Sequence, residues 1–470
     1  MVSAPPTPGL EIDREDPNGV ALPSFREALG VWAKVGLLSF GGPAGQIALM
    51  HRMLVDERRW IGEHRFLHAL SYCMLLPGPE AQQLAIYIGW LLHGLRGGLA
   101  AGILFLLPGA VVMLVLSAAY AVYHDLPAMH AVFLGVKAVV LAIVIQAILR
   151  IGARALKSRT ATILAVGALV ALYVAHIPFP LIVLGAALIG WVGHRVAPKS
   201  FAPGNGHGAG ENAPDTVGLI DRLIERGAAM HVRASKARTL RTLIAWLIIW
   251  LGPIMLLRFA TGPASPWSQI GDFFSVMAVV TFGGAYAVLA YVAQAAVEGF
   301  HWLMPMEMVD GLGLAETTPG PLILVLQFVG FLAAFRAPDG LPPLLAGALG
   351  AAVTLWATFV PCFLWIFVGA PYVEAVRANR TISAALAAVT AAVVGVIANL
   401  ALWFALHVLF REIRNVEIAG MWVQFPDFAS IDWAAAAIAL AAAVAILRFR
   451  IGTLTALAFG ALAGLATLAL

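Results

Sequence analysis

Charge is what this sequence has least of. Only 11% of its 470 residues are Asp, Glu, Lys or Arg, against about 25% in an average soluble domain. With 61% hydrophobic residues and a mean hydropathy of +0.89, the chain carries more apolar surface than a water-soluble core can hide. Lipid must be its solvent. Gly97–Tyr123 and Ile451–Leu470 contain no charged residue and no histidine. Each is at least as long as the ~20 apolar residues that cross a hydrocarbon layer.

Cysteine is nearly absent as well. Cys73 and Cys362 lie in apolar stretches and read as small buried hydrophobes, because two cysteines make neither a disulfide framework nor a metal-binding spacing. No metal or cofactor is expected. The sequence has no His-Glu-x-x-His, no Gly-x-Ser-x-Gly and no phosphate-binding P-loop, which argues against a hydrolase and against an ATP-driven pump acting alone. The net charge of +4 is small and sits in loops, so it marks topology and not a nucleic-acid surface. Residues 1–23 are rich in proline and acid, carry no visible signal peptide, and are expected to form a disordered tail.

What is present is a repeat. Ser39-Phe-Gly-Gly-Pro-Ala-Gly-Gln46 has a second copy in Thr281-Phe-Gly-Gly-Ala-Tyr286. Leu76-Pro-Gly-Pro-Glu80 has a second copy in Thr318-Pro-Gly-Pro321. Phe40 and Phe282, Trp60 and Trp302, and Pro77 and Pro319 are each 242 residues apart. Three coincident spacings indicate an internal duplication.

In chain order, Ser24-Phe-Arg-Glu27 reads as a capping box that starts a helix at Phe25. Gly41-Gly42-Pro43 breaks that helix, and a second arm runs from Pro43 to Val55. Each arm is about 21 Å long at about 1.5 Å per residue, too short to span and long enough to pass the midplane. A polar link over 52–65 precedes a second broken element, Phe66–Leu76 and Glu80–Leu92. Gly98–Tyr123, with a kink expected at Pro108, and Ala128–Leu149 read as spans; Ala161–Ala175 and Pro180–Gly193 read as a close helical pair. The expected divisions are a first repeat over 24–193, a basic linker over 194–241, a connecting transmembrane helix over 242–258, and a second repeat over 271–470. In the linker, Leu219, Ile220, Leu223 and Ile224 fit one face of a short amphipathic helix. The second repeat reads as broken elements Asp272–Val297 and Pro305–Phe335, then spans at 342–369, 382–409, 431–447 and 451–469.

Positive residues collect on cytoplasmic loops. With the N-terminus inside and each broken element re-entering, Arg52, Arg58, Arg59 and Arg65 stay inside, as do 150–159, 194–241, Arg377/Arg380 and Arg448/Arg450. Arg258, Arg336, Arg411 and Arg414 are exceptions. The unpaired helix 242–258 inserts the second repeat upside down. The fold class is therefore all-α integral membrane, with two inverted-topology repeats built on broken or re-entrant helices, the architecture of secondary transporters.

A helix broken inside a bilayer leaves peptide groups that only protein or an aqueous cavity can satisfy. Four breaks are expected, at Gly41–Gly45, Pro77–Glu80, Gly283–Ala285 and Thr318–Pro321. Each restarted helix aims its N-terminal N–H groups, worth about half a positive charge, at the gap. Brought together near the midplane, the four suit a tetrahedral dianion. The expected substrate-binding residues are Ser39, Gly41, Gly42, Gly45, Pro77, Gly78, Gln82, Gln83, Lys137, Gly283, Gly284, Thr318 and Gly320. Thr281 and Thr317 could add hydroxyls, and Gln327 an amide. Glu80 is either a helix-dipole partner or, beside an anion, the proton-coupling acid; Glu316 and Asp310 are weaker choices for that coupling. Lys34 either faces the anion or reaches back to the membrane surface, and His51 is expected at the inner mouth.

Phe40-Gly-Gly-Pro43 followed by Leu76-Pro-Gly-Pro-Glu80, with the weaker pair Phe282-Gly-Gly and Thr318-Pro-Gly-Pro321, resembles the chromate ion transporter family in its long, two-domain form. The resemblance implies a bacterial inner-membrane antiporter that exports chromate, confers chromate resistance, and is driven by the proton gradient, with sulfate as a competitor. The implied partners are chromate or sulfate, protons and the lipid bilayer, with no nucleic acid; a homodimer is compatible. Ala285 replaces the motif proline in the second copy and Leu322 stands at the position of Glu80, so an acid–base role passes to Glu80 alone. The alternative is a passive or exchange pathway for sulfate or another inorganic anion on the same fold.

Overall fold

The computed structural model describes residues 23–197, 218–225, 235–280, 282, 285–372, 380–418 and 421–469. The expected tail and most of the linker lie outside them. Helix α1 (Phe25–Leu38) starts where the Ser24 hydroxyl accepts the Glu27 N–H at 3.2 Å. It stops at Ser39, and Gly41 at φ 85° reverses the chain into α2 (Gly42–His51). A left-handed φ of this kind strains any residue with a Cβ, which is why glycine stands there. A π-helical turn, Arg52–Glu57, follows, then α3 (Glu63–Cys73) and α4 (Glu80–Tyr123). The kink expected at Pro108 falls elsewhere: within α4 the non-helical dihedral angles are at His93 and Gly94 (φ 59°).

Next come α5 (Pro127–Ala155), α6 (Arg159–Tyr173), α7 (Phe179–Val196), the short α8 (Leu219–Glu225) and α9 (Lys236–Thr261). The second copy is α10 (Pro266–Val280), α11 (Ala285–Gln294), a π turn at Ala295–Gly299, α12 (Pro305–Thr317), a 3-10 turn at Leu322–Leu324, and α13 (Val325–Arg336). Its first helix begins earlier than Asp272, because the Ser265 hydroxyl accepts the Ser268 N–H at 3.2 Å. The duplication extends to individual hydrogen bonds. Phe40 N–H donates to Leu38 O at 2.9 Å and Phe282 N–H to Val280 O at 3.0 Å. Trp60 and Trp302 donate to Leu54 and Ala296, both at 2.8 Å. Arg59 and His301 share a positive φ (52° and 55°), as do Gly78 and Gly320 (112° and 91°).

The chain closes with α14 (Pro343–Gly369), α15 (Arg380–Leu409), a β-hairpin of β1 (Ile413–Ile418) and β2 (Met421–Pro426), α16 (Trp433–Leu447) and α17 (Thr453–Ala466). Small residues let these helices approach backbone to backbone, as membrane packing requires. Gly135 of α5 faces Gly460 of α17, and Gly190 of α7 faces Ala384 and Ala388 of α15. The hairpin was not anticipated from sequence. Its strands are six residues each and leave no mark on a pattern dominated by long apolar helices. It packs where Tyr173 O–H meets Gln424 O and where His176 Nε2 lies 2.7 Å from Trp422 O.

Among the described residues, six helices are long and apolar enough to cross a membrane: those within 80–123, 127–155, 179–196, 236–261, 343–372 and 383–409. The protein is a multi-pass, all-α membrane protein. Its broken elements are hairpins whose ends are drawn together. Arg58 after α2 bonds Glu27 at the start of α1, 2.7 Å away. His93, at the end of the first part of α4, lies 2.9 Å from Pro23 O. In the second copy Arg336, at the end of α13, grips the Glu307 carboxylate with both terminal nitrogens and donates to Trp302 O at 2.7 Å. Segment 218–222 docks on the first of these links. Leu219 and Ile220 N–H donate to Arg59 O and Trp60 O at 3.0 and 2.9 Å, while Asp221 holds Arg65.

Candidate functional site

The first and fourth breaks touch. Gly320 N–H donates to Ser39 O at 2.7 Å, and the buried Gln46 Nε2 donates to Gly320 O at 2.5 Å. The first and fourth breaks are thus joined by three residues, all within the quoted motifs. Gly109 of α4 lies against the Pro319 carbonyl with no room for a Cβ, so the fourth break is also fitted to the first half. Gly45 sits against Phe40 O, which a Cβ would approach to 2.7 Å.

The second break is Pro77-Gly78-Pro79. Gln83 Nε2 donates to Pro77 O at 2.6 Å, and a Cβ on Gly78 would lie 2.9 Å from that nitrogen and 3.2 Å from Cys362 Sγ. Gln82 Nε2 reaches Gly102 O at 3.5 Å, and Gln327 Nε2 reaches Ala110 O at 2.9 Å. The carbonyl oxygens of Gln46, Gln82, Gln83 and Gln327 are buried and unpartnered among the described residues. Phe282 marks the third break; Gly283 and Gly284, with Thr281, lie outside the described residues. The helix after it is linked to the fourth break, because Tyr286 O–H donates to Glu316 at 2.7 Å.

Three described helices restart after a break with no side-chain cap: α2 after Gly41, α4 after Pro79, and the 3-10 turn after Pro321. Their first-turn N–H groups have no intrahelical acceptor. The expected hydroxyl donors are already committed. Ser39 Oγ donates to Val35 O at 2.6 Å, Thr317 Oγ1 to Leu314 O at 2.7 Å, and Thr318 Oγ1 to Ala315 O at 2.8 Å. Glu80, the first residue of α4, is half-buried and has no ion pair among the described residues; its carboxylate accepts from its own backbone N–H.

Lys137 is not free beside a break. Its Nζ lies 3.3 Å from Asp310 Oδ1, and the side chains are 12% and 7% exposed. Lys34 is exposed on the outer face of α1. His51 lies between Glu63 at 2.5 Å and Asp56 at 3.3 Å, which ties it to the link after α2. Sequence reasoning passed over Gln46, Tyr120 and Tyr286. Gln46 carried a signal, being the polar last residue of the quoted motif at the start of an apolar arm. The two tyrosines carried none, since only packing shows which acids they meet.

A helical hairpin fold in which a break from one half packs against a break from the other is the build of a membrane transport protein. The sequence profile described as chromate transporter matches residues 26–191 and 268–465. The chain belongs to the chromate transporter family, whose members are transport proteins. It is 32% identical over 377 residues to a chromate transport protein of Pseudomonas aeruginosa, covering 80% of this chain and 79% of that one. It is 28% identical over 376 residues to a chromate transport protein of Cupriavidus metallidurans, covering 80% and 81%. It is 21% identical over 386 residues to an uncharacterized transporter of Methanocaldococcus jannaschii, covering 82% and 86%. No solved structure matches it. Transport of chromate across a membrane follows from the family.

Proposed function

We propose that this chain is a secondary transporter that exports chromate across the bacterial inner membrane, driven by the proton gradient, from a site framed by the helix breaks. The observation that carries this reading is the joint between Ser39, Gln46 and Gly320. It brings a break from each half into contact beside helix starts that have no side-chain cap. Sulfate, of the same shape and charge, competes for the site. Glu80 is the acid that links proton and anion, because an ionised carboxylate there opposes a nearby dianion. Membrane potential acts in the same direction as export: moving two negative charges out of a negative interior is worth about 4.6 kcal/mol per 100 mV.

Inverted insertion of the two repeats is part of this proposal. Re-entry is supported by the hairpin ends that meet at Glu27–Arg58 and Pro23–His93 on one side, and at Arg336–Glu307 on the other. Thr239 and Tyr372 hydroxyls lie 3.0 Å apart, which suits an α9 start and an α14 end on the same side. The four arginines that break the charge bias are each held by a carboxylate: Arg258 by Asp272, Arg336 by Glu307, Arg411 by Asp432 and Arg414 by Asp427. The N-terminus is then cytoplasmic.

Energised inverted membrane vesicles containing the protein test the function. They should accumulate labelled chromate, and added sulfate should slow the uptake. Uptake that equilibrates without responding to a proton gradient would replace the carrier with a passive anion pathway. No accumulation with either gradient direction would remove chromate export.

A further inference from the structure

Helix α12 carries three buried acids that the proposal above leaves idle. Two are bound within the second half: Glu307 by Arg336, and Glu316 by Tyr286. The third, Asp310, is held from the first half. Lys137 of α5 lies 3.3 Å from its Oδ1, and Tyr120 of α4 donates its hydroxyl to Oδ2 at 2.9 Å. This is a buried ion pair between two parts of the fold that must move past each other if the halves rock. In the first copy the positions 242 residues earlier than Glu307 and Asp310 are Arg65 and His68. The acid site therefore exists once per chain.

A buried ammonium and a buried carboxylate are tolerated only as a pair; pulled apart, each becomes an uncompensated charge away from water. The two have different ways out. The carboxylate can bind a proton and become neutral, and Tyr120 can donate to its ionised form or accept from its protonated form. Lys137 keeps its charge most cheaply by taking another anion. Among the described residues, Lys137 is the one cation paired with Asp310. Arg336 of α13 is committed to Glu307, and His124, stacked on Tyr120 at 5.4 Å, lies a turn beyond it. α17 and the 3-10 turn at Leu322–Leu324 bring no titratable group, and α15 brings only Arg380 and His407, near its two ends.

We propose that Asp310 is a proton-binding site of the transport cycle, which takes up a proton as the transported oxyanion displaces it from Lys137. Tyr120 is the positioning residue that holds the carboxyl group in both forms. Eight residues of α12, about 12 Å, separate Asp310 from the break at Thr318, so the exchange occurs beside the outer part of the route and not at the break. The step is a reversible protonation with no other reactant: the proton comes from water, and Lys137 exchanges one anion for another. The proposal rests on the oxyanion-transport reading.

The test uses the purified full chain in detergent, in weak buffer with a pH indicator, titrated with potassium chromate. Wild-type protein should take up protons as chromate binds, roughly one per chain at Asp310 beyond those taken up at Glu80. Asp310→Asn should bind labelled chromate with roughly one proton fewer taken up per chain than wild type, and Asp310→Glu should restore it. In vesicles, Asp310→Asn should exchange internal for external chromate with a weakened response to a proton gradient. Should Asp310→Asn fail to insert, the double variant Lys137→Met with Asp310→Asn, which leaves no buried charge unpaired, should show weakened chromate binding and the same loss of roughly one proton taken up per chain. Wild-type-like proton uptake by either variant, or chromate binding to the wild type with no proton uptake, would overturn this assignment alone. A wild-type chain that neither binds nor moves chromate or sulfate would overturn the cargo and this site together.

Discussion

Replacing Gly320 by alanine separates the joint between the two halves from ordinary stability. Gly320 sits at φ 91°. Its N–H is held by Ser39 O at 2.7 Å and its C=O by Gln46 at 2.5 Å. Space is not the obstacle. A Cβ there would meet Leu324 Cδ1 at 3.3 Å and Phe105 O at 3.6 Å, contacts that a leucine rotamer relieves. The cost is in the backbone, where a left-handed conformation disfavours an L-residue by about 1–2 kcal/mol. Because both bonds between the first and fourth breaks are made by this one glycine, that cost falls on the joined conformation. The balance between joined and separated halves should shift by roughly five- to thirtyfold.

Gly340 supplies the control. It has φ 83° in the exposed loop after α13, and nothing lies within 4 Å of a Cβ there. Gly340→Ala carries a similar backbone cost without touching the joint. The assay is the initial rate of labelled chromate uptake by energised inverted vesicles, normalised to inserted protein. Gly320→Ala should lose most of the rate, while Gly340→Ala stays within about twofold of wild type. Equal rates for the two variants would show that the contact between the first and fourth breaks plays no part in the cycle.

Two further outcomes follow from the same geometry. Asp221 accepts from Gly62 N–H and Gly218 N–H, each at 2.8 Å, and pairs with Arg65. Asp221→Ala should cost about 1–3 kcal/mol locally and speed amide hydrogen exchange over the link that holds Trp60, with exchange at α14 unchanged; unaltered protection of that link would mean the docked segment does not hold it. Glu80→Gln keeps the shape of the first residue of α4 while removing its charge, and should flatten the pH dependence of chromate uptake. An unchanged pH profile would reduce Glu80 to a partner of the helix dipole.

Much of the helical framework was legible from residue order alone. The capping serine at Ser24, the glycine at Gly41 and the prolines around Gly78 each act through local backbone geometry, so their positions carried the breaks directly. The common offset of Phe40, Trp60 and Pro77 with Phe282, Trp302 and Pro319 carried the duplication, down to matching turn hydrogen bonds. Other features were not legible, for local reasons too. Pro108 stays within a helix, while the bend at His93 and Gly94 falls at the turn expected over His93–Arg96, and six-residue strands at Ile413–Pro426 leave too weak a pattern among long apolar runs.

Partnership was the property that sequence could not supply. Ser39, Thr317 and Thr318 looked like free donors, but each hydroxyl turns back to a carbonyl of its own helix. Lys137 looked like a lone cation within a span, yet it faces Asp310, 173 residues away in the chain. Solvent preference, helix ends and repeat spacing follow from short stretches of chain, since lipid length and peptide hydrogen bonding act locally. Which break meets which, and which buried charge cancels which, was decided only by packing. Low-dielectric surroundings make every buried polar group find a partner wherever the fold brings one, whatever its distance along the sequence.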